Sequence, residues 1–186
     1  MKKNLILSFI ISLLIVQFAT AKEVIIKSPD GKIFVEINLA KEIAFNINYT
    51  NKPILEKGTI SLHLLNEILG KNPKLISIRK QTIDEIIQPI TPLKNSKIRN
   101  HCNVLKLYFK NDYQLEFRVF DNGVSYRFIT TKKGEITIIN ESSDYQFADN
   151  FNGYFSKTER TFSNYERIYK PSSLQDLTKE NLAIIP

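Results

Sequence analysis

Phe117-Arg118-Val119-Phe120-Asp121-Asn122-Gly123-Val124-Ser125-Tyr126-Arg127-Phe128 is the stretch on which the fold turns. Apolar and polar residues alternate on both sides of Asp-Asn-Gly, the period of a half-buried strand and not of a helix. Asn-Gly between two such runs predicts a two-residue type I′ turn, because both central positions take positive φ. That turn pairs Asp121 with Val124, Val119 with Tyr126 and Phe117 with Phe128, gathering most of the large apolar side chains on one face. The same register sets Arg118 directly opposite Arg127 on the other face. Like charges across a strand pair are unfavourable unless a carboxylate or ligand sits between them. Glu116, two residues along that face, is the internal candidate, so the pair reads either as a surface ion-pair ladder or as a ligand site.

The alternation extends outward. Leu105, Leu107 and Phe109 share a face, Asn111-Asp112 turns the chain, and Leu115, Phe117 and Val119 return. Further upstream, Ile33, Val35, Ile37 and Leu39 alternate with polar neighbours, as do Ile43, Phe45, Ile47 and Tyr49, which predicts an antiparallel hairpin. Ser28-Pro29-Asp30-Gly31 before it is a turn by its chemistry, Pro fixing one φ and Gly supplying a positive one. Short strands are expected at 59–65, 74–80, 83–87, 135–140 and 144–148, with Pro73, Pro89 and Pro92 at edges or in loops. From Asn150 to Pro171 the period is lost, which predicts a long functional or packing loop. Ser172-Ser173-Leu174-Gln175 resembles a capping box opening a short helix through about Asn181. The final Ala183-Ile184-Ile185-Pro186 begins an apolar run and reads as an interruption in mid-fold.

At the other end, Lys2 and Lys3 precede an apolar run from Leu5 to Phe18, followed by Ala19-Thr20-Ala21. This is the three-part pattern of a secretory signal peptide; a spanning helix needs about 20 apolar residues. The expectation is a signal over 1–21, one mature domain over 22–186, and a periplasmic or extracellular product with no membrane span after processing. Removing the first 21 of 186 residues leaves 165, enough for one domain with a real core. Loss of Lys2 and Lys3 takes the net charge from +7 to +5. The basic residues are spread along strand-like runs with no cluster that would track a phosphate backbone, which speaks against nucleic acid as a partner.

Cys102 is the only cysteine, so no internal disulfide supports the domain. Its neighbour His101 invites a Cys/His nucleophile, but adjacent residues on a strand point to opposite faces. Two His and one Cys nearly exclude zinc sites of the usual His/Cys kind, leaving carboxylates as ligands for a hard cation such as calcium. Segment 159–169 collects Glu159, Arg160, Phe162, Tyr165, Glu166, Arg167 and Tyr169. Charged groups beside flat rings suit a sugar, and equally a packed loop with salt bridges. Gly-rich phosphate loops and Ser/His/Asp sets are absent from the pattern, and no glycosidase-type carboxylate pair is identifiable.

Three motifs in order, Ser28-Pro29-Asp30-Gly31-Lys32, the 117–128 run and Asn164-Tyr165-Glu166 followed by Tyr169, resemble the N-terminal domain of glycoside hydrolase family 97. The resemblance implies an all-β fold, an antiparallel β-super-sandwich of the galactose-mutarotase-like kind, incomplete at its C-terminus. It implies an exported, calcium-dependent α-glucosidase or α-galactosidase whose catalytic carboxylates lie on a (β/α)8 barrel packed against the sandwich. Glu166 best matches the family's calcium-ligating glutamate, with Glu159 the neighbouring alternative. The barrel that would act on an α-linked oligosaccharide lies outside this chain, so no catalytic residue is assigned here. The alternative is a stand-alone carbohydrate-binding or structural module without hydrolase activity.

Overall fold

The computed structural model describes residues 23–91, 94–158, 167–178, 180 and 182–183. The expected signal segment, Pro92, Glu159 and the Asn164-Tyr165-Glu166 motif lie outside them. The described chain is almost entirely antiparallel β-structure. Its strands are β1 (Glu23–Lys27), β2 (Ile33–Asn38), β3 (Ile43–Tyr49), β4 (Lys52–Leu64), β5 (Ile68–Leu69), β6 (Leu75–Ile87) and β7 (Ile98–Phe109). They continue with β8 (Tyr113–Phe120), β9 (Gly123–Thr130), β10 (Ile138–Phe147), β11 (Asn152–Phe155), β12 (Lys157–Thr158), β13 (Lys170–Ser173) and β14 (Leu182–Ala183).

The first sheet has the order β1-β2-β3-β4-β10, with β5 also on β4, and the second is β6-β7-β8-β9; β11-β13 and β12-β14 form two separate two-stranded pairs. The two large sheets make the sandwich. They pack face to face because alternation gives each an apolar side: Val35, Ile37 and Ile43 from the first meet Leu105, Leu107, Leu115 and Phe117 from the second in one buried cluster. Phe45 and Phe117 join the sheets edge-to-face at 5.4 Å between ring centres, an arrangement worth about 0.5–1.5 kcal/mol beyond the area it buries. Phe45 also lies opposite Gly58 across the β3–β4 pair, where its ring takes the space a Cβ would need. Tyr113, buried at the foot of β8, accepts a hydrogen bond from the Gly70 amide at 3.4 Å, and burial pushes its phenol up to about 12.

The hairpin β2–β3 and the turn before it are as the sequence predicts. Gly31 takes φ 73°, and its amide donates to the Ser28 carbonyl at 3.0 Å. The Ser28 hydroxyl and the Lys32 amide both donate to Asp30, holding its carboxyl down at about 2. Left-handed pairs occur at Thr50-Asn51 and, as expected for a turn, at Asn111-Asp112.

The register of the 117–128 hairpin differs from the expectation. Phe120 pairs with Gly123, Val119 with Val124, Phe117 with Tyr126 and Glu116 with Arg127. The loop is therefore Asp121-Asn122, and none of Asp121, Asn122 and Gly123 takes positive φ. A tertiary contact accounts for the shift: within the loop, the Asp121 carboxylate accepts the Asp30 amide at 2.9 Å, tying this turn to the Ser28–Gly31 turn. Two of the three sequence motifs thus meet in space.

Elsewhere the expected pieces merge or shorten. Segments 74–80 and 83–87 form the continuous β6, because Gln81 and Thr82 break the apolar pattern while staying paired with Val104 and Asn103. Likewise 135–140 and 144–148 become the single β10 on the edge of its sheet. The expected 150–171 loop contains β11 and β12, and β13 begins at its end. The expected helix through Asn181 is one 3-10 turn, Leu174–Asp176, with Leu177 already extended. Asp176 provides the cap, accepting the Ser173 amide and the Ser172 hydroxyl at 2.9 Å each.

Candidate functional site

The corrected register resolves the arginine pair. Glu116 stands on β8 with Lys106 of β7 directly opposite on one side and Arg127 of β9 on the other. Arg118 lies two residues along on the same face. Its Nε donates to Glu116 Oε1 at 2.9 Å, Arg127 donates to the same oxygen at 2.8 Å, and Lys106 Nζ meets Oε2 at 3.1 Å. The carboxylate is only 1% exposed although it faces away from the sandwich core, so the three cations stand where water would otherwise be.

Burial by itself would raise the Glu116 carboxyl. Hydrogen bonds from Arg118 and Lys106, with the charges of Arg118 and Arg127, outweigh it and hold the group below its ordinary value. An ionised carboxylate with both oxygens engaged is a poor general acid or base. The cluster is a cross-strand lock that joins three strands on the outer face. Lys106 is the member that sequence reading missed. A three-residue loop, Lys110-Asn111-Asp112, which keeps Leu107 and Leu115 opposite each other on the apolar face, would have found it.

The other candidates separate. Cys102 is fully buried, and burial raises its thiol, the opposite of an activated nucleophile. Its Sγ lies 3.9 Å from Asn100 Oδ1 on its own face. His101 alternates to the other face, opposite Asp84, which forms a two-bond pair with Arg99 at 2.8 Å. Across the sandwich, Tyr126 donates to Glu141 at 2.8 Å, linking β9 to β10. Glu166 and Glu159 lie outside the described residues. Of the aromatic segment 159–169, Arg167, Ile168 and Tyr169 are described, and all three are exposed. Among the described residues no three His, Cys, Asp or Glu side chains come together as a metal-binding group. No helix there is long and apolar enough to cross a membrane.

Residues 26–186 match the family described as the glycosyl-hydrolase 97 N-terminal domain. The chain is 30% identical over 175 residues to a retaining alpha-galactosidase of Bacteroides thetaiotaomicron, covering 89% of this chain and 26% of that protein. Among solved structures, a beta-arabinopyranosidase superposes with a TM-score of 0.68 at 25% identity, over 80% of this chain and 26% of the other. A glycoside hydrolase family 97 enzyme from Pseudoalteromonas sp. strain K8, seen with panose, has the same fold, with a TM-score of 0.70 at 19% identity over 82% of this chain and 25% of that one. The chain thus spans about a quarter of the length of these relatives.

Proposed function

Since the chain belongs to the glycosyl-hydrolase 97 N-terminal family, we propose that it serves as the non-catalytic sandwich of an exported α-glycosidase acting on α-linked oligosaccharides. The observation that carries this reading is the continuous family match from residue 26 to 186, running through a fold shared with much longer glycosidases. The outer-face lock around Glu116 fits a scaffold role, since its only carboxylate is fully occupied and leaves no acid or base for hydrolysis. In this reading the signal pattern at 1–21 directs export, the sandwich packs on a catalytic barrel, and Glu166 contributes a carboxylate to calcium. Calcium takes 6–8 oxygens, so one glutamate holds it only together with ligands from the barrel.

The test uses the full chain and the Bacteroides relative stripped of the quarter that this chain matches. The chain alone is expected to leave p-nitrophenyl α-galactoside and α-glucoside untouched. Mixed with the stripped relative, it is expected to restore calcium-dependent hydrolysis, with Glu166→Gln raising the calcium concentration required. Turnover by the chain alone, or a calcium requirement indifferent to Glu166→Gln, would sink the reading.

A further inference from the structure

We propose that the groove crossing β4 on the outer face of the first sheet binds a small neutral polyhydroxylated ligand, a sugar ring. The groove holds about 420 Å3, within the roughly 300–1,000 Å3 usual for small-molecule sites. Topology builds it. β5 and the Gly70–Asn72 corner continue the row of β3 along one side of β4, the isolated Glu42–Lys71 bridge raises that wall, and β10 forms the other. Gly70 is needed at the corner, since it takes φ 94° and an added Cβ would stand 2.9 Å from the Ile60 carbonyl oxygen.

The polar groups at its centre have more hydrogen-bonding capacity than they use on one another. His63 Nε2 lies 3.1 Å from the Ser61 hydroxyl and 3.4 Å from that of Ser142. A ring nitrogen either accepts one hydrogen bond or donates one. In either tautomer at least one of these hydroxyls keeps a proton to donate to a third group. Asp144, on the same face of β10, has no hydrogen bond or ion pair among the described residues and supplies two acceptor oxygens. Both hydroxyls meet the same imidazole nitrogen, and no carboxylate is bonded to the ring among the described residues, so this is not a nucleophile set.

Charge narrows the ligand class. Of the groove's carboxylates, Glu42 is paired with Lys57 at 2.9 Å, which leaves Asp144 against Lys41 and Lys71. The one excess positive charge sits on exposed lysines, where water and salt screen it, so the lining binds no ion strongly. A half-exposed Ile68 on one wall offers apolar surface to the C–H face of a ring. Donors, acceptors and a small apolar wall with little net charge are the complement of a pyranose. The groove involves neither Glu166 nor calcium, so it stands apart from the proposed domain role.

The chain has two histidines, and His101, on the other sheet, serves as an internal control. Imidazole 1H–15N spectra of the full chain are recorded in chelator during titration with maltose and melibiose. Saturable movement of the His63 signals at millimolar sugar, with His101 still, is expected. Asp144→Asn is expected to weaken binding about tenfold, the loss of one charge-assisted hydrogen bond, without moving the thermal midpoint. Three results overturn the proposal: no saturable His63 shift, the same affinity in Asp144→Asn, or tighter binding of inorganic phosphate or glucuronate than of the neutral sugars.

Discussion

Replacing Glu116 by Gln keeps the side-chain shape but removes the charge that three cations surround. Lys106, Arg118 and Arg127 are 27%, 30% and 58% exposed at their side chains, so water screens each of them once the carboxylate is gone. Breaking a fully buried pair costs about 3–5 kcal/mol. Here solvent reaches the cations, and exposed pairs are worth only about 0.2–1 kcal/mol, so the loss for Glu116→Gln is set near 2 kcal/mol. For a domain of this size about 1 kcal/mol moves the thermal midpoint by roughly 2–4 °C, which gives about 4–8 °C. Arg127→Ala alone, at the most exposed cation, is expected to cost about 0.5–1 kcal/mol.

The pH dependence has a definite sign. The folded carboxyl is held below its ordinary value of 4.5, so its contribution is fully present above that value and is lost as the pH falls through the lower folded-state value. Urea unfolding followed by circular dichroism, at neutral pH and at several acid values, measures both effects. Wild type and Glu116→Gln should converge in acid and separate above it. The sign for Arg127→Ala tests the register directly. If Arg118 faced Arg127, removing one would relieve repulsion and stabilise the protein. Stabilisation by Arg127→Ala, or a Glu116→Gln variant within about 0.5 kcal/mol of wild type, would refute the reasoning.

Gly123→Ala is expected to be neutral or to stabilise by about 0.4–1 kcal/mol, since Gly123 lacks positive φ and an added Cβ meets nothing within 4 Å; urea midpoints check it, and a clear loss would restore the type I′ turn. Gly58→Ala should cost about 1–3 kcal/mol by overpacking, because its Cβ would lie 2.7 Å from the Phe45 ring, and the thermal midpoint should fall accordingly. The edge strand β10 exposes Tyr145 and Phe147 by 47% and 44%, so the chain is expected to self-associate through it. Phe147→Lys should lower the apparent mass in light scattering at high concentration.

The period-two alternation determined much of this protein by itself. Ile33, Val35 and Ile37 or Leu115, Phe117 and Val119 can face only one way once a strand forms, so strand class, antiparallel pairing and the apolar faces were legible. Glu116 was legible as the carboxylate for Arg118 and Arg127, and the turn chemistry marked Gly31 and Asn111-Asp112. The partner across each strand was not. Because side chains repeat every two residues, moving the 117–128 hairpin from a Val119–Tyr126 pairing to Val119–Val124 leaves every residue on its original face. Hydrophobic burial cannot separate two such registers. The choice fell to contacts distant in sequence, above all the Asp30 amide on Asp121, and only with that choice did Glu116 come to stand between Lys106 and Arg127. The groove at His63 was invisible for the same reason. Ser61 and Ser142 lie far apart along the chain and meet only because β10 pairs with β4.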